Sequence, residues 1–543
     1  MFTSARGSSY QGRDDQGNTI SATLYVIKPS FPDLQVGAIE ELGEVCISRC
    51  FLRMPSSNIM MSRSGRLTPS RHLLPPSSYR PSATQTVNVQ VLPVPADILL
   101  EIFDLYRMDE VTTSHLPWKW HRLAHVCRTW RYIIFASSCR LNLELLCTYG
   151  TPVRINIRYL PALPIVIHFP GYIRDSDEDN IIAALEHHNR VQVLKLNVPY
   201  SLSKTMATFT QKPFRALTHL QLESKKDSPI PPLPHTFLGG CSPRLQKIYL
   251  NGIPFPAAPT LLLSARDLVD VDLRDIPNNG YISPEAMITS LAMLSKLKYL
   301  TLGFRWGTFH LIRTRLLHFT RVVLPALRYF HFDGPFEYLE DFVSRIDAPQ
   351  LNRLEICYLD MGVDFHLPQL CEFIDRSEKL TQSQFRHADL IITPPTSTAP
   401  RTAIIKINGQ FILSTWDERI SQALSQISGI LSNVDRLSIS SEFTGYGGLG
   451  SGIRWLEFLR QFTAVKVLTV QVDLSRRVAL ALKNVTGASA AEVLPALKLL
   501  FLENRSLSSV AEFVAARWNA GRPVDFINKE SEFQERLESG VAE

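Results

Sequence analysis

A chain of 543 residues is too long for one compact core, so two or three folded units are expected unless repeats let one unit grow lengthwise. Its 45% apolar and 20% charged residues suit a globular protein, and a net charge of +6 without a long basic block gives no nucleic-acid tail. Eight irregularly spaced cysteines exclude a disulfide framework; Cys127, Cys139 and Cys147 fall inside apolar patterns and read as reduced core thiols. The opening "MFTSARGSSYQGRDD" has no apolar leader core, and no run of eighteen apolar residues occurs. The expectation is an intracellular protein, cytoplasmic or nuclear, that does not enter a membrane.

Residues 1–88 are rich in Ser, Pro and Arg and poor in periodicity, which predicts a disordered or weakly structured tail. Residues 89–140 then carry two amphipathic segments. In "PADILLEIFDLY" (95–106), Pro95 suits a first helical position, and Ile98, Leu99, Ile102, Phe103 and Tyr106 recur on one helical face. In "WKWHRLAHVCRTWRYIIF" (118–135), Trp120, Leu123, Ala124, Cys127, Trp130 and Ile134 form the stripe of a second helix, with Lys119, Arg122, Arg128 and Arg131 largely off it. Two helices this short cannot bury both faces alone. Their spare apolar surface should bind another protein, cap the exposed end of a repeat array, or do both.

Residues 141–189 read as a linker with first irregular repeats. From 190 to 525 an L-x-x-L-x-L frame recurs: "VQVLKLNVP" (191), "LTHLQLES" (217), "LQKIYLNGIP" (245), "LVDVDLRDIP" (268), "LKYLTLGF" (297), "LRYFHFDGP" (327), "LNRLEICYL" (351), "VDRLSISS" (434), "VKVLTVQV" (465) and "LKLLFLEN" (497). "LTQSQFRH" (380) and "TAIIKING" (402) fill the gap more weakly. Starts roughly 22 to 32 residues apart, with helical patterns such as "SPEAMITSLAMLSKL" between them, are those of degenerate leucine-rich repeats. The expected fold is α/β: a small helical domain, then a repeat solenoid with a parallel sheet on its concave face, then a tail over 526–543. A doubly wound α/β domain is the other architecture that alternates strands and helices, but its strands would be continuous apolar runs. Here they alternate.

That alternation sends the leucines inward and the intervening residues to the concave face. One row would hold Tyr249, Asp272, Thr301, His331 and Glu355, and the next Asp270, Tyr299, Tyr329 and Arg353, with Arg305 and Trp306 at a strand end. Aromatic residues and arginine dominate interface energetics, so Tyr299, Trp306, Tyr329, His331 and Arg353 are the candidate target-binding residues. The plain alternative is a solvated sheet face.

The helical segments carry a family likeness. "VPADILLEIF" followed by "HRLAHVCRTWRYIIF" resembles the F-box, in the form common among fungal F-box proteins with leucine-rich repeats. Val94 and Pro95 stand where that family has Leu-Pro; Ile98, Leu99, Ile102 and Phe103 match its first apolar helix. Val126, Cys127, Arg128, Trp130 and Arg131 match its V-C-R-x-W-R signature. The likeness covers residues 90–140, and the loop "RMDEVTTSHLPW" is longer and more polar than usual. It implies that the F-box docks on the adaptor subunit of an SCF cullin-RING ubiquitin ligase while the repeats hold an unidentified protein target. The adaptor-binding residues would be Val94, Pro95, Ile98, Leu99, Ile102, Phe103, Val126, Cys127 and Trp130. A repeat scaffold without a ligase partner is the alternative.

Other motifs are weaker. "GYGGLG" (445–450) fits a dinucleotide fingerprint, but Ser440 to Thr444 separate it from the preceding strand, where the first glycine should abut it. "HRLAH" places His121 and His125 one turn apart without the glutamate of a zinc protease, and Cys46 and Cys50 of "CISRC" lack a second pair. "DSDED" (175–179) reads as a solvated loop, and no nucleophile elbow or phosphate loop occurs. No catalytic residue, metal or cofactor is expected.

Overall fold

The computed structural model describes the backbone of residues 6–13 and 19–26, and then residues 94–527 except 109–118, 172, 199–211, 225–230, 256–259, 306–320, 359–365, 383–385, 394–401, 417–418, 443–452, 484, 486–488, 490–491 and 503–506. The chain divides into two compact units, residues 1–143 and 144–543.

In the first unit, strands β1 (Arg6–Arg13) and β2 (Thr19–Val26) pair antiparallel, where the sequence pattern placed no element. Three helices come next: α1 (Ala96–Met108), α2 (Lys119–Val126) and α3 (Arg128–Ala136). The second amphipathic segment is thus two helices, not one. Cys127 breaks it with extended backbone (φ −155°, ψ 172°), and its Sγ accepts a hydrogen bond from the Trp130 amide at 3.4 Å, capping α3. The apolar period runs through the break, so spacing alone does not reveal it. Cys127 and Cys139 are exposed, which corrects their reading as core thiols; Cys147 is buried, and all three are free.

The second unit is mixed α/β, built on one long and mostly parallel sheet. Its first strands are β3 (Leu145–Cys147), β4 (Ile165–Phe169), β5 (Val191–Asn197), β6 (His219–Glu223), β7 (Lys247–Asn251) and β8 (Asp270–Ile276). Then come β9 (Tyr299–Phe304), β11 (Tyr329–Gly334) and β13 (Arg353–Tyr358), with the short pair β10 (Val322–Val323) and β12 (Ile346–Asp347) apart from the main sheet. The remaining strands are β14 (His387–Thr393), β15 (Thr402–Ile407), β16 (Phe411–Trp416), β17 (Arg436–Ser441), β18 (Val467–Val470), β19 (Leu499–Leu502) and β20 (Asp525–Ile527). Among the described residues the main sheet has sixteen strands, in chain order from β3 to β13 and again from β17 to β20. Leu300, Leu302, Phe330, Phe332, Leu354 and Ile356 are buried while the residues between them are mostly less so, which is the period of two that the leucine frame predicts. Val198, Ile253 and Ile276, each followed by a proline at or just past the end of its strand, are buried as well.

Parallel neighbours need a crossover, and helices supply several. Pro284–Leu291 begins where Ser283 accepts a hydrogen bond from the Ala286 amide at 3.2 Å and Pro284 occupies the first turn. Asp175–Leu185 contains "DSDED", which is therefore a helix start and not a solvated loop. Asp177 is 3% exposed and accepts from the Gly150 amide at 3.3 Å, so a charge run conceals a buried tether.

Between β13 and β17 the regular order fails. β16, not β14, lies beside β13; β15 runs antiparallel to both β16 and β14; and β14 pairs with β17. The weak frames at 380 and 402 are not ordinary repeats. Leu380 sits in the helix Glu378–Gln382, the strand starts only at His387, and "TAIIKING" is the reversed strand β15. The deciding residues are Asn408 (φ 48°) and Gly409 (φ 66°), with the Gln410 amide donating to the Ile407 carbonyl at 3.0 Å. Asn-Gly with both φ positive makes the tight turn that twists as a hairpin requires. Gly409→Val, which forces a β-branched residue into that region, should cost about 1–2 kcal/mol, read as a lower urea midpoint with unchanged slope.

Candidate protein-interaction sites

The helical unit separates the face of α1 into two. Leu99, Leu100 and Phe103 are buried, and the edge of Phe103 meets Trp130 with ring centroids 5.0 Å apart and planes at 63°. Trp120 and Phe135 make a second edge contact at 6.0 Å, and Arg131 Nε donates to the Ala124 carbonyl at 2.9 Å across the α2–α3 break. Ile98 (51% exposed), Leu105 (59%) and Tyr106 (37%) point outward instead, with Ile102 half-buried among them. Residues 98, 102, 105 and 106 fall on one side of a helix, one step round from 99, 100 and 103.

The nine residues expected at the adaptor contact therefore split. Leu99 and Phe103 hold the helices together, Ile98 and Pro95 are exposed, and Val94, Ile102, Val126 and Trp130 are half-buried. Cys127 is exposed at its cap. Leu105 and Tyr132 (75% exposed) belong to the outward apolar surface, although the sequence reading does not select them. Leu105 is detectable by spacing, one and two turns beyond Ile102 and Ile98; Tyr132 is hidden as long as residues 118–135 are taken for one continuous helix.

On the sheet, the strand register aligns the expected rows. Tyr249, Asp272, Thr301, His331 and Glu355 are successive pairing partners, as are Asp270, Tyr299, Tyr329 and Arg353. Thr301 is buried, unlike its neighbours in the row; Arg305 holds Asp275 through Nη2 at 2.9 Å; and Trp306 lies outside the described residues. Two rows thus bring Tyr299, Tyr329, His331 and Arg353 together. "GYGGLG", the Cys46–Cys50 pair and His121's side chain also lie outside what is described, and among the described residues no His, Cys, Asp or Glu cluster could hold a metal.

Glu355 is the centre of this group. Its Oε2 accepts from the Tyr329 hydroxyl at 2.7 Å and lies 3.2 Å from His331 Nδ1, while its Oε1 accepts from Arg353 Nε at 2.7 Å. Burial alone would raise this carboxyl, but the hydrogen bonds from Tyr329 and Arg353 and the charge of Arg353 hold it below its ordinary range. Burial lowers His331 despite the opposing pull of Glu355, and burial first, then the bond to Glu355, pushes the Tyr329 phenol well up. The carboxylate is thus saturated by donors, and its neighbours are fixed in place. Arg353 also lies over the Tyr329 ring at 5.6 Å, and Tyr299 stands 6.5 Å from Tyr329. Tyr299, Arg328, Tyr329, Asn352 and Arg353 line an open depression of about 470 Å³. Behind it, Phe304 and Phe332 pack on the buried Tyr338 at 4.6 and 5.9 Å, which stiffens the sheet under the site.

The chain matches no known protein-family model and no curated protein.

The next row holds a residue that periodicity does not flag. Asp333, paired in register with Gly303 and Cys357, is half-buried, its Oδ1 is shut away from solvent without a hydrogen-bond partner, and desolvation raises its pKa to about 6. Below pH 4 the group is protonated folded or unfolded and contributes nothing. As pH rises through 4 to 6 the unfolded chain ionises first, so the fold loses stability and remains penalised at neutral pH. Asp333→Asn should therefore raise stability by about 2–3 kcal/mol at pH 7.5, with the gain vanishing near pH 4 in parallel urea melts.

Proposed function

We propose that this protein is a substrate-recognition subunit of an SCF-type cullin-RING ubiquitin ligase, with α1–α3 as an F-box docking on the cullin adaptor and a leucine-rich-repeat solenoid holding a protein target. The observation that carries the reading is the outward apolar face of Ile98, Leu105 and Tyr106 on a helix whose other face is already buried. A monomer gains nothing from that exposure, whereas a protein interface takes its anchors from such residues. The resemblance of residues 90–140 to the F-box supplies the kind of partner. The aligned Tyr299, Tyr329, His331 and Arg353 supply the target-facing side.

In this reading the chain performs no chemistry. It raises the concentration of target beside the enzymes that transfer ubiquitin, and its contribution is proximity. Among the described residues no helix is long and apolar enough to cross a membrane, which is compatible with such a role.

The two surfaces are separable by mutation. Ile98→Asp with Leu105→Asp changes exposed side chains only, so circular dichroism should be unchanged while capture of the cullin adaptor falls at least about tenfold. Capture at wild-type strength would refute the F-box assignment and leave a repeat scaffold. Tyr329→Ala with Arg353→Ala should weaken target ubiquitination about 10- to 100-fold and leave adaptor capture intact. Undiminished ubiquitination would move the target away from these strands.

A further inference from the structure

The L-x-x-L-x-L frame puts one residue in the turn that enters each strand, just before the outward positions. In "LKYLTLGF", "LRYFHFDGP" and "LNRLEICYL" that residue is Lys298, Arg328 and Asn352. Backbone bonds set the three side by side. The Arg328 amide donates to the Lys298 carbonyl at 2.9 Å, and the Asn352 amide to the Arg328 carbonyl at 3.0 Å. They form a polar rim along the tyrosine row, and Arg328 and Asn352 line the depression together with Tyr299, Tyr329 and Arg353. The lining has two guanidinium groups and no carboxylate. Glu355 stands beside it, but its oxygens are taken up by Tyr329, His331 and Arg353, so a cationic group finds no open acceptor there. Donors are in surplus instead. Arg328 is exposed, and among the described residues its guanidinium has no hydrogen bond or ion pair. Arg353 turns Nε and Nη2 toward Glu355, which leaves Nη1. Tyr299 is 45% exposed and presents its ring next to these donors. The carboxylate of the same row, Asp270, stands beyond Tyr299 and next to Lys247.

We propose that this depression receives an aspartate or glutamate of the target, held by Arg328 and Arg353, with the apolar or aromatic residue beside it resting on the Tyr299 ring. The occupant is an extended acidic segment of the target protein. A guanidinium offers paired donors that match the two oxygens of a carboxylate, and a hydrogen bond between ionised partners is about twice as strong as a neutral one. The same surplus of positive charge repels basic segments, so it contributes selectivity as well as affinity. The inference rests on the target-binding reading of this face and does not need the ligase reading.

Selection of phage-displayed random dodecapeptides on the full-length protein supplies the probes, and the enriched peptides, once synthesised, are titrated by fluorescence anisotropy. Enrichment of an acidic residue beside an apolar one is expected. Arg328→Glu should weaken these peptides at least about tenfold, and replacing the peptide's acidic residue by lysine should restore binding to that variant. Because Arg328 is exposed, the melting temperature of the variant should match the wild type. A selection that enriches nothing, peptides without an acidic residue, or acidic peptides that bind Arg328→Glu at full strength overturn the proposal. If such peptides still respond to Tyr329→Ala with Arg353→Ala, the face keeps its target-binding role through another chemistry; if they ignore both variants, that role falls with the proposal. A gain of about a hundredfold on exchanging the acidic residue for phosphoserine also overturns it, in favour of phosphorylated targets.

Discussion

The backbone ladder between successive strands is the interaction on which the second unit depends. Strands of two to seven residues cannot bury themselves, and each finds its hydrogen-bond partners in the strands contributed by neighbouring stretches of chain. The leucine frame serves that ladder. It fixes which side of every strand enters the core, and a slip of one residue would turn Tyr329, His331 and Arg353 inward and expose Phe330 and Phe332. The candidate target surface is therefore a by-product of register, set to the residue because the core tolerates no alternative.

Arginine provides a second kind of tie between neighbouring stretches. Arg190 donates from Nε to the Leu163 carbonyl at 2.9 Å, Arg517 reaches the Leu497 carbonyl at 3.0 Å, and Arg376 holds Asp347 at 2.8 Å. Each guanidinium brings several donors to backbone or carboxylate oxygens that one stretch leaves at its boundary with the next. Arg517 is 1% exposed, burial lowers its pKa, and its Nη2 donates to the Pro495 and Leu497 carbonyls. Such residues look like surface charges in a sequence. Nothing in their spacing distinguishes them from the exposed Arg328.

The parts legible in the sequence are those governed by period. Alternation in "LKYLTLGF" and "LRYFHFDGP" marks the strands, and equal frames are enough to set Tyr299 opposite Tyr329. Where one side chain overrides the period, legibility stops. Cys127 starts a new helix with a sulfur atom that propensity does not recognise as a cap. Asn408 and Gly409 turn a would-be repeat into a hairpin, a local signal outweighed by the surrounding pattern. At the helical site, spacing identifies the apolar residues but cannot divide Leu99 and Phe103, which hold the unit together, from Ile98, which is free to meet another surface.

The meander of β14, β15 and β16 also bears on how such a chain can change over time. In the stretch from β3 to β13, each strand pairs with the one before and after it in the main sheet, so whole units could be gained or lost with the ends rejoining in phase. Residues 353–441 lack that freedom. β13 skips β14 and β15 to pair with β16, and β17 reaches back past both β16 and β15 to pair with β14. Because β15 links β14 to β16, removing any one of the three leaves two other strands short of a neighbour. Variation in length should be permitted on both sides of this junction and refused within it, which makes an irregularity of pairing the fixed point of an otherwise extensible architecture.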